Sequence, residues 1–287
     1  MLELLATDPA LFIGCVFVLG LLIGSFLNVV ILRLPLMLEQ AWRDSAAEIL
    51  EQPVEESQTR TGLVTPRSAC TSCGAVIKPW QNIPVISYLF LRGKCANCGA
   101  GISWQYPFVE FATAVLSATI AWHFGWGWAS FFTLLFTWAL IVLTAIDWRT
   151  QYLPDAITLP LLWLGLLASL GGHFTTPTDA IVGAIAGYLL LWSVFHGFRL
   201  VTGKEGMGYG DFKLLAALGA WLGWQSLPLV ILLASFAGMI IGIGMTVSGR
   251  LERGNPMPFG PFLAIAGWLA LVAGDTITAT YLQIAGF

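Results

Sequence analysis

Eight apolar runs, at 11–32, 107–124, 128–146, 156–172, 179–198, 212–225, 228–248 and 260–282, leave this chain few ways to fold. About twenty apolar residues in a helix cross the roughly 30 Å hydrocarbon layer of a bilayer. Lipid offers no partner to backbone N–H and C=O groups, so such a segment must satisfy them internally, as a helix does. With 57% hydrophobic and only 10% charged residues, the chain lies far from the composition of a soluble domain. We read it as an all-α polytopic membrane protein with about eight transmembrane helices. The first run follows Glu3 and Asp8, with no basic residue ahead of it and no small-residue cleavage site behind it. That pattern predicts a retained span rather than a signal peptide. The polar stretch after it divides the chain into a first span (1–34), an insert (35–106) and a seven-span core (107–287).

The basic residues give the orientation. Arg33, Arg43, Arg60, Arg67, Lys78, Arg92 and Lys94 follow span one, and Arg149, Arg199, Lys204, Lys213, Arg250 and Arg253 fall in or beside later loops of the same parity. The opposite side has none. This bias predicts a cytoplasmic insert, with both termini on the far side of the membrane. The net charge of -3, with no basic patch, predicts no nucleic-acid partner.

Two acids stand at the ends of apolar runs. Asp147 closes the third, and Asp211, in Gly208-Tyr209-Gly210-Asp211, opens the sixth; two complete runs lie between them, so both should meet the same membrane face. A carboxylate at a membrane boundary is costly and marks a functional site. Two acids converging on one bond are the basic equipment of an aspartic protease, in which the pair shares a proton. Asp147 ends a helix and Asp211 begins one, so the helix dipoles predict that resting Asp147 carries that proton. Asp155, directly after Pro154, is expected to be a helix N-cap. The loop from Thr202 to Gly210 holds four glycines but no GKS or GKT. Backbone freedom beside an acid suits admission of an extended peptide better than cradling of a phosphate. The proline-rich turn 250–261 is expected to wall this site.

The insert carries the second chemistry. Cys70-Thr71-Ser72-Cys73-Gly74 and Cys95-Ala96-Asn97-Cys98-Gly99 are two CxxCG knuckles separated by 21 residues. Four thiolates at this spacing suit a tetrahedral zinc ion, and with every position filled the metal would be structural. Two disulfides are the competing reading, which a reducing cytosol disfavours. His123, His173 and His196 lie far from the knuckles along the chain. Elsewhere in the insert, 37–56 is a candidate amphipathic helix and 51–65 a linker, while 82–89 is expected to lie on the membrane or form a small sheet. Gly24 to Asn28 and the GxxxG pairs Gly183/Gly187 and Gly238/Gly242 are read as helix-packing sites. Glu110, in the first turn of span two, is favoured there by the dipole and is also a candidate substrate contact. Cys15 is read as a buried hydrophobe.

Taken together, GSFLNVV at 24–30, the two CxxC pairs, NIPVISYL at 82–89, RGKC at 92–95, YPFVE at 106–110, Asp147 with LPD at 153–155, and GYGDFKL at 208–214 resemble the type IV prepilin peptidases. These are a branch of the GxGD intramembrane aspartyl proteases, and the resemblance covers nearly the whole chain. It implies a catalytic pair at Asp147 and Asp211 and zinc ligands at Cys70, Cys73, Cys95 and Cys98. It further implies a bacterial inner-membrane enzyme with its active site facing the cytoplasm and both termini periplasmic, in contact with membrane lipid. Its substrates would be prepilin and pseudopilin precursors of type IV pilus and type II secretion systems, cut after a glycine and then N-methylated, usually on Phe, with S-adenosylmethionine. The methyltransferase rests on the resemblance alone, because the residues show no methyl-donor fingerprint. Rival classes are a proton-coupled transporter, which would move a solute and show internal repeats, and a zinc-knuckle scaffold, which would tolerate loss of both acids.

Overall fold

A computed structural model describes residues 2–51, 61–249 and 257–285. Each of the eight apolar runs appears as a helix, and among the described residues there is no strand, only two isolated bridges. Five helical segments are long and apolar enough to cross a membrane: Pro9–Ile49, Trp128–Thr150, Pro177–Thr202, Trp224–Val247 and Gly260–Ile284. The chain divides into two compact units, 1–126 and 127–287.

In the first unit a short α1 (Leu2–Thr7) leads into α2 (Pro9–Ile49). Asp8 caps α2, its Oδ1 accepting from the N–H groups of Ala10 and Leu11 at 3.0 and 3.1 Å. Pro9 fills the first position, where a missing N–H costs nothing. α2 runs on through Pro35, so the first part of the predicted insert is an unbroken extension of the first span. Its 41 residues make a rod about 60 Å long, roughly twice the hydrocarbon thickness. The linker expected at 51–65 falls largely outside the described residues. Where the chain re-emerges, Arg33 Nη1 donates to Gly62 O at 2.9 Å and holds it against α2. The stretch 82–89 forms neither a sheet nor a long helix. A 3-10 turn at Pro79–Asn82 is followed by α3 (Ile86–Phe90).

α4 (Gln105–Phe124) packs on α2 at small residues. A methyl group on Gly20 would come within 2.7 Å of Ala114 Cα, and one on Gly24 within 2.6 Å of Glu110 Cα. Only glycine lets the two backbones approach so closely. At the same crossing, buried Asn28 donates through Nδ2 to Tyr106 O at 3.1 Å, the interhelical bond its sequence position suggested. Cys15 is exposed rather than buried, as are Leu11, Val18, Leu19 and Leu22 of the same helix.

The second unit contains α5 (Trp128–Thr150), α6 (Asp155–Leu170), α7 (Pro177–Thr202), α8 (Tyr209–Leu222), α9 (Leu227–Val247) and α10 (Gly260–Ala285). α8 is its centre. Apart from half-buried Lys213, every residue from Asp211 to Trp221 is buried, as expected of a helix apolar on all sides. α7 meets α8 through Gly183 against the Gly219 carbonyl and Gly187 against the Leu215 carbonyl, so this GxxxG pair makes the predicted helix contact. The second pair packs more loosely, Gly238 beside Phe262 and Gly242 beside Met257. Trp221 lies under Gly165 of α6 and donates through Nε1 to Leu161 O at 2.8 Å. Trp268 of α10 donates to Thr137 of α5 at 3.1 Å.

Candidate functional site

Asp147 lies in the last turn of α5. Gln151 ends that helix in the left-handed region, at φ 54, and its N–H returns to Asp147 O at 2.8 Å. The chain then passes through buried Leu153 and starts α6. Asp211 lies in the first turn of α8, its N–H on Gly208 O at 3.2 Å. The two acids are 4% and 7% exposed, and their carboxylates are near enough to interact electrostatically. Asp147 thus closes one helix and Asp211 opens another, as their places in the apolar runs suggested.

Leu153 is the wedge between the segments that carry them. A methyl group on Gly210 would lie 2.8 Å from Leu153 Cβ, and one on Gly260 would lie 3.1 Å from Leu153 Cδ1 and 2.6 Å from Asp147 Oδ2. Gly210 is thus required by packing as well as by any backbone freedom. The expected wall is partly realised: Gly260 sits against Asp147, while 250–256 lie outside the described residues. Asp147 Oδ2 is buried with no hydrogen-bond partner among the described residues.

Asp155 is not the N-cap its sequence position suggested. Pro154 occupies the cap and makes no side-chain bond, and Asp155 is the first helical residue. Its two oxygens each lie 2.7 Å from Lys213 Nζ, which ties the start of α6 to the first turn of α8 two residues beyond Asp211. In the sequence Lys213 stands out only as a basic residue within GYGDFKL. Fifty-eight residues separate the partners, and no local pattern announces the pair.

In the first unit, Glu110 is buried and its Oε2 accepts from Val85 N–H at 2.7 Å. Val85 adopts φ 59, a strained left-handed conformation for a β-branched residue. The carboxylate expected as a dipole-favoured residue or a substrate contact here holds a loop of its own chain.

The two knuckles are copies of one turn. Cys70 N–H donates to Ala75 O and Gly74 N–H to Cys70 O, each at 2.9 Å; Cys95 and Gly99 repeat the pattern at 2.7 and 2.9 Å. Gly74 and Gly99 have φ of 70 and 72, where glycine is favoured. The four Sγ atoms lie within 4.8 Å of one another, and Cys70 and Cys98 are 3.8 Å apart. Sulfurs on a tetrahedron of ~2.3 Å metal bonds would be about 3.8 Å apart, whereas a disulfide needs about 2 Å. The cluster could therefore hold a metal ion. Backbone N–H groups pull the Cys70, Cys73 and Cys95 thiols below their ordinary range. The Ala100 N–H acts the same way on Cys98, but the other sulfurs outweigh it and push that thiol up to about 11. The crowding of sulfurs that raises Cys98 is what a cation at their centre would relieve. Asn97 Nδ2, 3.6 Å from Cys73 Sγ, supplies a hydrogen bond from outside the sulfur cluster.

The description "Bacterial Peptidase A24 N-terminal domain" matches residues 18–124, and "Type IV leader peptidase family" matches 134–243. The prepilin leader peptidase/N-methyltransferase of Pseudomonas aeruginosa is 57% identical over 287 residues, covering 100% of this chain and 99% of that protein. The protein of the same name from Stutzerimonas stutzeri is 55% identical over 283 residues, 99% and 98% of the two chains. That from Neisseria gonorrhoeae is 49% identical over 261 residues, 91% and 90%. No solved structure matches the chain. With identity at this level along its whole length, carried by helices that bring two acids together and by a loop that brings four cysteines together, this multi-pass membrane protein belongs to the type IV leader peptidase family.

Proposed function

We propose that this chain is a bifunctional enzyme of the bacterial inner membrane that removes the leader of type IV prepilins and type II secretion pseudopilins and then methylates the new N-terminus. The observation that carries the proteolytic half is the pair of buried carboxylates, Asp147 and Asp211, delivered to one place by the ends of α5 and α8. A water held between them attacks the carbonyl that follows the leader glycine. One carboxylate takes a proton from that water while the other, protonated, hydrogen-bonds the carbonyl oxygen; the amine leaves with a proton from the pair. In this reading both aspartates face the cytoplasm and both termini are periplasmic, as the distribution of basic residues suggests. Membrane lipid surrounds the outward apolar faces and gives the precursor's own apolar helix a place to dock. The working division we propose remains a first span (1–34), an insert (35–106) and a core (107–287), with the acids of the core supplied by α5 and α8.

The four cysteines, Cys70, Cys73, Cys95 and Cys98, are proposed as ligands of a structural zinc ion. Four thiolates leave no open position for a water or a substrate, so the ion would brace the insert rather than take part in cleavage. S-adenosylmethionine is proposed as the methyl donor from the family and the relatives' shared name. The direct test is mass spectrometry of a purified pilin-like precursor incubated with the enzyme. Loss of the leader, followed by a gain of one methyl group when S-adenosylmethionine is added, is the expected result. An unchanged precursor mass would refute the proteolytic reading.

A further inference from the structure

The insert carries an uncovered apolar face. Trp80, Leu89, Phe90 and Trp104 are between 62% and 83% exposed, and Ile83 and Ile86 are nearly half exposed. A patch of this kind marks a surface that another phase or molecule covers. Its parts are fastened together: Ser87 Oγ donates to Trp80 O at 2.7 Å, Ile83 N–H donates to Ser87 Oγ at 3.2 Å, and the Trp104 ring packs edge-on against Phe108 of α4 at 5.4 Å. The helices fix its depth. The run 11–32 of α2 is about 33 Å long, close to the thickness of the hydrocarbon. Asn28, bonded to Tyr106 O, stands roughly 6 Å inside the end of that run, and Glu110 lies one turn deeper, against Gly24. Val85 N–H hangs from Glu110 Oε2 at 2.7 Å, at a φ of 59 that a β-branched residue adopts only under constraint. The turn bearing Ile83, Ile86, Leu89 and Phe90 is therefore moored level with the last turns of the apolar run.

Charge says what covers the face. From 61 to 109 the chain has no acidic residue and four basic ones, Arg67, Lys78, Arg92 and Lys94, although the whole chain carries a net -3. Lys78 Nζ lies 5.2 Å from the centre of the Trp80 ring, and Arg92 follows two residues after Phe90. Aromatic and aliphatic side chains bordered by cations are the composition of a surface that enters the headgroup region of an anionic leaflet. A second copy of this chain would bring like charges together. We infer that Pro79–Phe90, with Trp104, is a membrane-docking face of the insert: its apolar side chains enter the bilayer boundary beside α2 and α4, and Lys78, Arg92 and Lys94 take anionic lipid headgroups. The bond from Val85 to Glu110 sets how deep the face sits. The four-cysteine cluster, whose knuckles flank this turn in the chain, is thereby held at the membrane surface. Of the two forms expected for 82–89, this realises the one that lies on the membrane. It is independent of either catalytic activity.

Photocrosslinking of the full-length enzyme in nanodiscs of equimolar phosphatidylcholine and phosphatidylglycerol tests this. The photoreactive residue p-benzoylphenylalanine is placed singly at Phe90, at Leu22 on the exposed side of α2 within its apolar run, and at Ala46 on the part of α2 that extends beyond that run. Mass spectrometry after irradiation should find lipid adducts at Phe90 in a yield close to that at Leu22, and few at Ala46. A yield at Phe90 no higher than at Ala46 overturns the inference. Adducts of Phe90 with protein instead of lipid overturn it in favour of a second copy. The adducts also report the headgroup. Phosphatidylglycerol should be enriched over phosphatidylcholine at Phe90 by about fivefold relative to Leu22, the ratio that one basic residue near an anionic surface produces. Lys78→Gln, Arg92→Gln and Lys94→Gln combined should erase that enrichment while the total yield stays. An enrichment that survives the triple substitution removes the role given to the three cations. Equal lipid composition at Phe90 and Leu22 in the enzyme with all its charges overturns the anionic-leaflet assignment, and decides the point even where the triple variant does not fold.

Discussion

Lys213 grips Asp155 with its Nζ 2.7 Å from both carboxylate oxygens, and so clips the first turn of α8 to the first turn of α6. The pair is partly open to solvent, at 30% and 46% side-chain exposure. Its contribution is therefore modest, on the order of 1 kcal/mol, and weaker in high salt. Asp155→Asn should keep substantial cleavage, and a double-mutant cycle with Lys213→Met should show a coupling of about that size in thermal stability. A dead Asp155→Asn enzyme would move the catalytic assignment away from Asp147.

Asp147→Asn and Asp211→Asn should each reduce cleavage by at least about a thousandfold, the range expected when an essential acid or base is removed. Both variants should stay folded, since Asn fills the same space. Circular dichroism and thermal melting check the second point while precursor mass checks the first. Retention of cleavage by either variant would remove it from the pair.

Cys70→Ser should lose the bound metal, read by elemental analysis of the purified protein, together with the order of the insert. Full metal content in that variant would rule out a four-thiolate site. The pH sense follows from Cys98, whose thiol the neighbouring sulfurs hold up at about 11 against the pull of the Ala100 N–H. Metal binding must drive that proton off, so acidification should release the metal and raising the pH should restore it.

Gly183→Leu should cost several kcal/mol, on the order of the larger single-site effects, because the side chain would run into the Gly219 carbonyl and push α7 off α8. Gly244→Ala is the control. It lies in α9 with nothing within 4 Å of the new methyl group, and Ala favours the helix by roughly 1 kcal/mol. Melting temperatures that fell equally in both variants would contradict the close α7–α8 packing.

Much of this was legible along the chain because the signals are local. Apolar length gave the helices, CxxCG spacing gave the sulfur cluster, and run parity put Asp147 and Asp211 on one face. Contacts made across the fold were not legible. Pro35 resembles a helix breaker, yet α2 continues through it to Ile49. Asp155 had the sequence context of a cap, and only tertiary packing brings it to Lys213. Gly260 looked like part of a turn, and nothing nearby in sequence reveals that it packs against Asp147.

The brevity of α8 has a mechanical consequence. At 14 residues it is about 21 Å long, too short to span the hydrocarbon, and it is surrounded by α6, α7 and α10. Bilayer thickness is felt by helices that touch lipid, and α8 presents almost no surface to it. Thicker or thinner membranes should tilt the outer helices while the central one keeps its place, so the acid at its head stays put across membranes of different lipid composition.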